Sequence, residues 1–63
     1  HLTARELDVL PLVAQGLTNG QIGKQLQLAE VTVKKHVQSI IGKLGASDRT
    51  HAATVAVRKG LVE

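Results

Sequence analysis

The sequence predicts an all-α fold, a compact domain of four short helices in which two helices are joined by a turn of about three residues. Three observations carry this prediction. Apolar residues recur at helical spacing in four separate runs, and no strand alternation interrupts them. The runs are punctuated as helices are, with Thr3, Thr18 and Ser47 or Asp48 placed to cap starts and Gly16, Gly45 and Gly60 placed to end them. The chain has only 63 residues and every connection is short, so the four helices must share one core. A domain of this size buries only about 60% of the surface its unfolded chain exposes, so it must pack efficiently.

The first helix is expected over 4–15. "TARE", Thr3 to Glu6, is a capping box, in which the Thr3 hydroxyl accepts from the backbone of residue 6 and Glu6 reaches back. Leu7, Leu10, Val13 and Ala14 follow at helical spacing, and Gly16 caps the end. Pro11 removes one backbone hydrogen bond, and because the pattern continues past it, a bend is expected rather than a stop. "TNGQ", Thr18 to Gln21, is a second capping box and opens a short helix over 19–26 built on Ile22 and Leu26, with Gly23 weakening it. Residues 27–29 make the tight turn. The third helix spans 30–44 and stops at Gly45. It has no good N-cap, because Ala29 stands where Ser, Thr or Asp would help. The fourth spans 49–59 and ends at Gly60.

Composition narrows the function classes. The formal charge is +3 and hydrophobic residues make up 43%, a globular domain with a modest basic excess that suits a nucleic-acid partner or simply a soluble surface. There is no aromatic residue, so bases of a single strand would find no stacking platform, and a duplex is the favoured nucleic acid. There is no cysteine, which removes disulfides and thiolate metal sites and suits a reducing, cytoplasmic setting. No signal-peptide pattern and no apolar run long enough for a membrane span is present. The three histidines lack metal-ligand spacing, and no Ser/His/Asp set, carboxylate pair or glycine-rich phosphate loop stands out, so neither an enzyme nor a metal or cofactor site is expected. A chain that opens on His1 reads as a domain cut from a longer protein.

The third helix holds the functional signal. At 100° per residue, Val33, Val37, Ile40, Ile41 and Leu44 form one stripe that must face the core. Val31, Lys35, Gln38, Ser39 and Gly42 lie opposite, flanked by Lys34 on one side and by Thr32, His36 and Lys43 on the other. A solvated helix face mixes both charge signs, whereas this one is basic and amide-bearing, with Glu30 only in the first turn where it suits the helix dipole. A helix of this width fits the major groove of B-DNA. There lysine can donate to guanine, glutamine can pair with adenine, and Val31 can touch a thymine methyl. The preceding helix would cross the backbone, its free N–H groups near Thr18 and Asn19 forming a phosphate site. Two helices so joined have helix-turn-helix geometry, although short helix pairs also occur in ordinary bundles.

"LTARELDVL", "VAQGLTNGQIGKQL", "VTVKKHVQSIIGKLG" and "DRTHAA" together resemble, in order and spacing over nearly the whole chain, the LuxR-type helix-turn-helix domain of bacterial response regulators and quorum-sensing regulators. The resemblance implies a domain that binds double-stranded promoter DNA as a dimer, with the third helix for recognition and the fourth as dimer surface. It implies base reading by Lys34, Lys35 and Gln38, and backbone contacts by Thr32, His36 and Lys43 and by Thr18 and Asn19. It also offers Glu6 as a partner for Arg49, while Arg49 could equally hold a phosphate. For His36, a packing role stands beside the phosphate role. Three features depart from the family pattern: Ala29 at the cap, Pro11, and glycines at 20, 23 and 42 where charged residues or alanine are common.

On the fourth helix, Ala53, Ala56 and Val57 are expected to pack on helices one and three. Ala52, Val55 and the stem of Lys59 would then form the outward stripe for a second copy. The function expected is the DNA-binding effector domain of a two-component response regulator. The rival readings are the effector domain of a small-molecule-sensing regulator and a helical module that docks protein. RNA polymerase is a further partner that an activator would need.

Overall fold

The computed structural model describes all 63 residues, His1–Glu63. It contains four helices and no strand: α1 Ala4–Ala14, α2 Asn19–Leu26, α3 Glu30–Leu44 and α4 Arg49–Arg58. The expected boundaries of α2 and α3 match these, and those of α1 and α4 run one residue too long. α1 continues through Pro11. No helix is long and apolar enough to cross a membrane.

Caps explain the boundaries. Both capping boxes form: the Thr3 hydroxyl accepts from the Glu6 N–H at 3.1 Å, and the Thr18 hydroxyl from the Gln21 N–H at 3.2 Å. Asp48 caps α4 by accepting from the His51 N–H at 2.8 Å. Three helices end alike, with Gly16, Gly45 and Gly60 in the left-handed region at φ 87°, 65° and 71°. The next residue then folds its N–H back onto the last turn: Leu17 to the Leu12 carbonyl, Ala46 to Ile41, Leu61 to Ala56.

α2 ends differently. Gln27 takes the left-handed conformation (φ 59°, ψ 45°) without being glycine, at a steric cost that only the sharpness of the turn explains. The Leu28 N–H then donates to the Gly23 carbonyl at 2.8 Å. This brings the two backbones so close that a Cβ on Gly23 would sit 2.5 Å from the Leu28 carbonyl oxygen. Gly23 therefore does more than weaken α2: it lets the chain turn tightly into α3.

The core is wholly aliphatic. Val9, Leu10, Ile22, Val33 and Ile40 are fully buried, with Leu12, Val13, Val37 and Ala56 around them. Burial of each large aliphatic side chain stabilises by about 1.5–3 kcal/mol relative to exposure. The α3 stripe behaves as expected, with Ile41 and Leu44 packed at its margin.

Two faces differ from expectation. On α1, Leu7 is 47% exposed, and the inward line is Glu6, Val9, Leu10 and Val13. Glu6, expected in the capping box, is also 3% exposed, because it finds further partners on α3. On α4, Ala52 is 1% exposed and Ala56 fully buried, while Val57 is 54% exposed. Arg49, Ala52 and Ala56 lie at i, i+3 and i+7 and share one face. Arg49 turns inward to the loop before α2, so the two alanines follow it, and their small side chains let α4 pack closely on its neighbours. Ala52 is therefore core and cannot belong to a dimer surface. Val55 and Ala53 are both half-buried, on the two flanks of that face.

Candidate nucleic-acid interface

The α2–turn–α3 unit presents the outer side of α3 to solvent. Val31, Lys34, Lys35 and Gln38 are exposed, Val31 at 60% although it is apolar. That valine stands on the same exposed face as two cations and an amide. Asn19, Glu30, Val31 and Lys34 line one open recess where the first turns of α2 and α3 meet, so the structure brings one expected backbone contact beside two expected base readers. Thr18 is exposed at the start of α2, and no acid lies in the first turn of that helix. Thr32 and His36 are half-buried on the flank.

Ser39 and Lys43 are placed otherwise than their positions on the helix suggest. Ser39 Oγ donates to Glu6 Oε2 at 2.6 Å, and Lys43 Nζ donates to Glu6 Oε1 at 2.8 Å, the same oxygen that accepts from the Thr3 N–H at 2.8 Å. Ser39 thus faces α1 and not outward, and the Lys43 ammonium is engaged inside the domain. The Lys43 bond, the Ser39 bond and the Thr3 N–H together outweigh burial and lower the Glu6 carboxyl from 4.5 to about 2. This cluster clamps the C-terminal half of α3 to the start of the domain.

Arg49 does not pair with Glu6. Its guanidinium donates to the Asn19 side-chain oxygen and to the Leu17 carbonyl. That contact ties the start of α4 to the start of α2 and orients Asn19 from behind. Lys59 lies away from Ala52, beside Lys43 in a recess with Leu7, Leu44 and Leu61. His51 accepts from the Ser47 N–H at 3.0 Å, a local bond at the turn into α4.

The roles of Arg49 and Ser39 escaped the sequence reading because both depend on partners about 30 residues away in the chain, which no helical period reports. The burial of Glu6 had one signal available, since the helical line Glu6–Val9–Leu10–Val13 is as regular as the line drawn through Leu7.

Residues 1–56 match the family model described as bacterial regulatory proteins, luxR family. The chain is 51% identical over 61 residues to the transcriptional regulatory protein LiaR of Bacillus subtilis (strain 168), covering 97% of this chain and 29% of that protein. It is 39% identical over 62 residues to the response regulator protein VraR of Staphylococcus aureus (strain Mu3 / ATCC 700698), covering 98% of this chain and 30% of that one. The chain thus spans less than a third of the length of these relatives. A solved structure of the transcription factor GerE superposes with a TM-score of 0.90 at 34% identity, over 98% of this chain and 92% of that one. The four helices, the turn and the matched sequence converge: this chain belongs to the luxR family of bacterial regulatory proteins, and it is a helix-turn-helix DNA-binding domain of that family rather than an enzyme.

Proposed function

We propose that this domain is the effector of a cytoplasmic response regulator and binds double-stranded promoter DNA with α3 in the major groove. The observation that carries the reading is the exposed face of Val31, Lys34, Lys35 and Gln38 on the helix that the tight turn at Gly23 and Gln27 holds outward. Lys34 and Lys35 donate to guanine edges, Gln38 pairs with adenine and Val31 meets a thymine methyl. Thr18, Asn19, Thr32 and His36 contact the backbone, with Arg49 acting through Asn19. Lys43, bound to Glu6, contributes chiefly to the clamp.

The test begins by selecting a preferred duplex from a random library. Lys35→Ala or Gln38→Ala should then lose about 1–3 kcal/mol on that duplex and much less on a scrambled one. Equal losses on both duplexes would remove these residues from base reading.

Two domains pair on the DNA through α4, with the exposed Val57 and Thr54 and the half-buried Ala53 in place of Ala52 at the centre of the contact. Val57 is the one large apolar side chain that α4 leaves open to solvent. The patch is small, so pairing is weak until DNA holds both copies. Val57→Glu should leave the fold and single half-site binding intact and abolish cooperative binding to two half-sites. Cooperative binding that survives the substitution would place the contact elsewhere.

A further inference from the structure

α3 carries a single acid, Glu30, in its first turn. Stabilisation of the helix dipole explains a carboxylate in that turn but not where its side chain goes. A lysine follows one turn later at position 34, yet no ion pair joins the two. The carboxylate instead leans across the recess to α2, where Oε1 sits 3.2 Å from the position a Cβ would take on Gly20 and the Thr18 hydroxyl lies 3.9 Å from that same point. The recess also contains Asn19, Val31 and Lys34, three residues assigned above to DNA. A negative charge therefore stands among the groups that meet the phosphate backbone and the groove, exposed and unpaired by any cation.

We propose that Glu30 is an electrostatic brake on duplex binding. Its carboxylate repels the phosphate that approaches the first turn of α2, and so lowers the affinity of the domain for any duplex. Like charges a few ångströms apart at a protein surface oppose each other by an amount that salt screens, so the brake is strongest at low ionic strength. This inference rests on the DNA-binding reading above and adds to it a residue whose loss strengthens binding.

The test compares wild type, Glu30→Gln and Glu30→Asp on a selected half-site duplex and on a scrambled one, across a salt series, with thermal melts to verify folding. Glu30→Gln should bind both duplexes about threefold tighter or more at low salt, and its plot of log affinity against log salt should steepen, by less than the roughly 0.9 that a full cation–phosphate contact adds, because the amide removes a repulsion and brings no cation. Glu30→Asp keeps the charge and should keep the wild-type slope. Unchanged affinity and slope in Glu30→Gln would overturn the brake, as would a slope in Glu30→Asp as steep as that of Glu30→Gln. Weaker binding of Glu30→Gln to the selected duplex alone would also overturn it, making Glu30 a reader of cytosine. A wild-type domain that shows no salt-dependent duplex binding would overturn the DNA reading itself, and this inference with it.

Discussion

The two ends of α3 are held in opposite ways. The C-terminal half is anchored twice. Ser39 and Lys43 converge on the buried carboxylate of Glu6, and the last turn closes on Gly45. The N-terminal half begins at Ala29, which offers no side-chain acceptor to the first N–H groups, and follows a turn whose pivot, Gln27, is in the left-handed region. That uncapped half bears Val31, Lys34 and Lys35. The contrast shows where a domain this small concentrates its rigidity. Polar clamping is spent at the end of the helix farther from the turn, while the end at the turn relies on Val33 and Val37 in the core. The first turn is left without a side-chain cap, whereas the clamped end is tied to the start of α1.

Breaking the clamp should have the largest effect. Glu6→Ala removes three hydrogen bonds to a buried carboxylate and frees an ammonium that is only partly exposed. The expected loss is about 3 kcal/mol in denaturant unfolding, near the low end for a broken buried pair, because Lys43 can turn to water. A loss under about 1 kcal/mol would mean that the two ends of α3 are not held so differently.

Acid should break the same clamp more gently. The Glu6 carboxyl lies at about 2 in the folded domain against 4.5 as its ordinary value. A carboxyl depressed on folding stabilises fully above its unfolded value, and that contribution declines as pH falls through the folded one. The domain should therefore lose stability between about pH 4.5 and 2, by on the order of 2–3 kcal/mol from this group. Glu6→Gln should flatten that part of the stability–pH curve. A curve of unchanged slope in the variant would assign the acid sensitivity to other carboxylates.

The smallest effect comes from strengthening the uncapped end. Ala29→Ser supplies the missing N-cap acceptor at φ −64°, ψ 146°, a conformation suited to an N-cap serine. Stability should rise by roughly 0.5–2 kcal/mol in denaturant melts. The gain should bring slower exchange of the backbone amides of residues 30–33, with little change at 40–44. Equal slowing at both ends would show that α3 behaves as one unit and remove the contrast.

Much of this arrangement was legible in the chain. The helix boundaries were, because Thr3, Thr18 and Asp48 cap through neighbours three residues on, and Gly16, Gly45 and Gly60 end helices by their own backbone freedom. The outward cations of α3 were legible too, because Val33, Val37 and Ile40 repeat strongly enough to orient the helix. The faces of α1 and α4 were not. Each has apolar residues on a wide arc, so periodicity permits more than one orientation. A buried acid on α1 and a pair of alanines on α4 settled the choice against the lines drawn through Leu7 and Val57.

The sequence by itself determined what local physics decides: four helices, their caps, the short turn, an aliphatic core, and a basic strip with no aromatic platform. Tertiary structure alone decided the pairing of polar groups. Glu6 met Lys43 and Ser39 rather than Arg49, Arg49 met Asn19 and Leu17, and Glu30 leaned toward Gly20. The physical reason is distance along the chain. Capping and periodicity act within a turn or two and are written in adjacent residues, whereas a buried charge takes whichever partner the packing of other helices brings within about 3 Å.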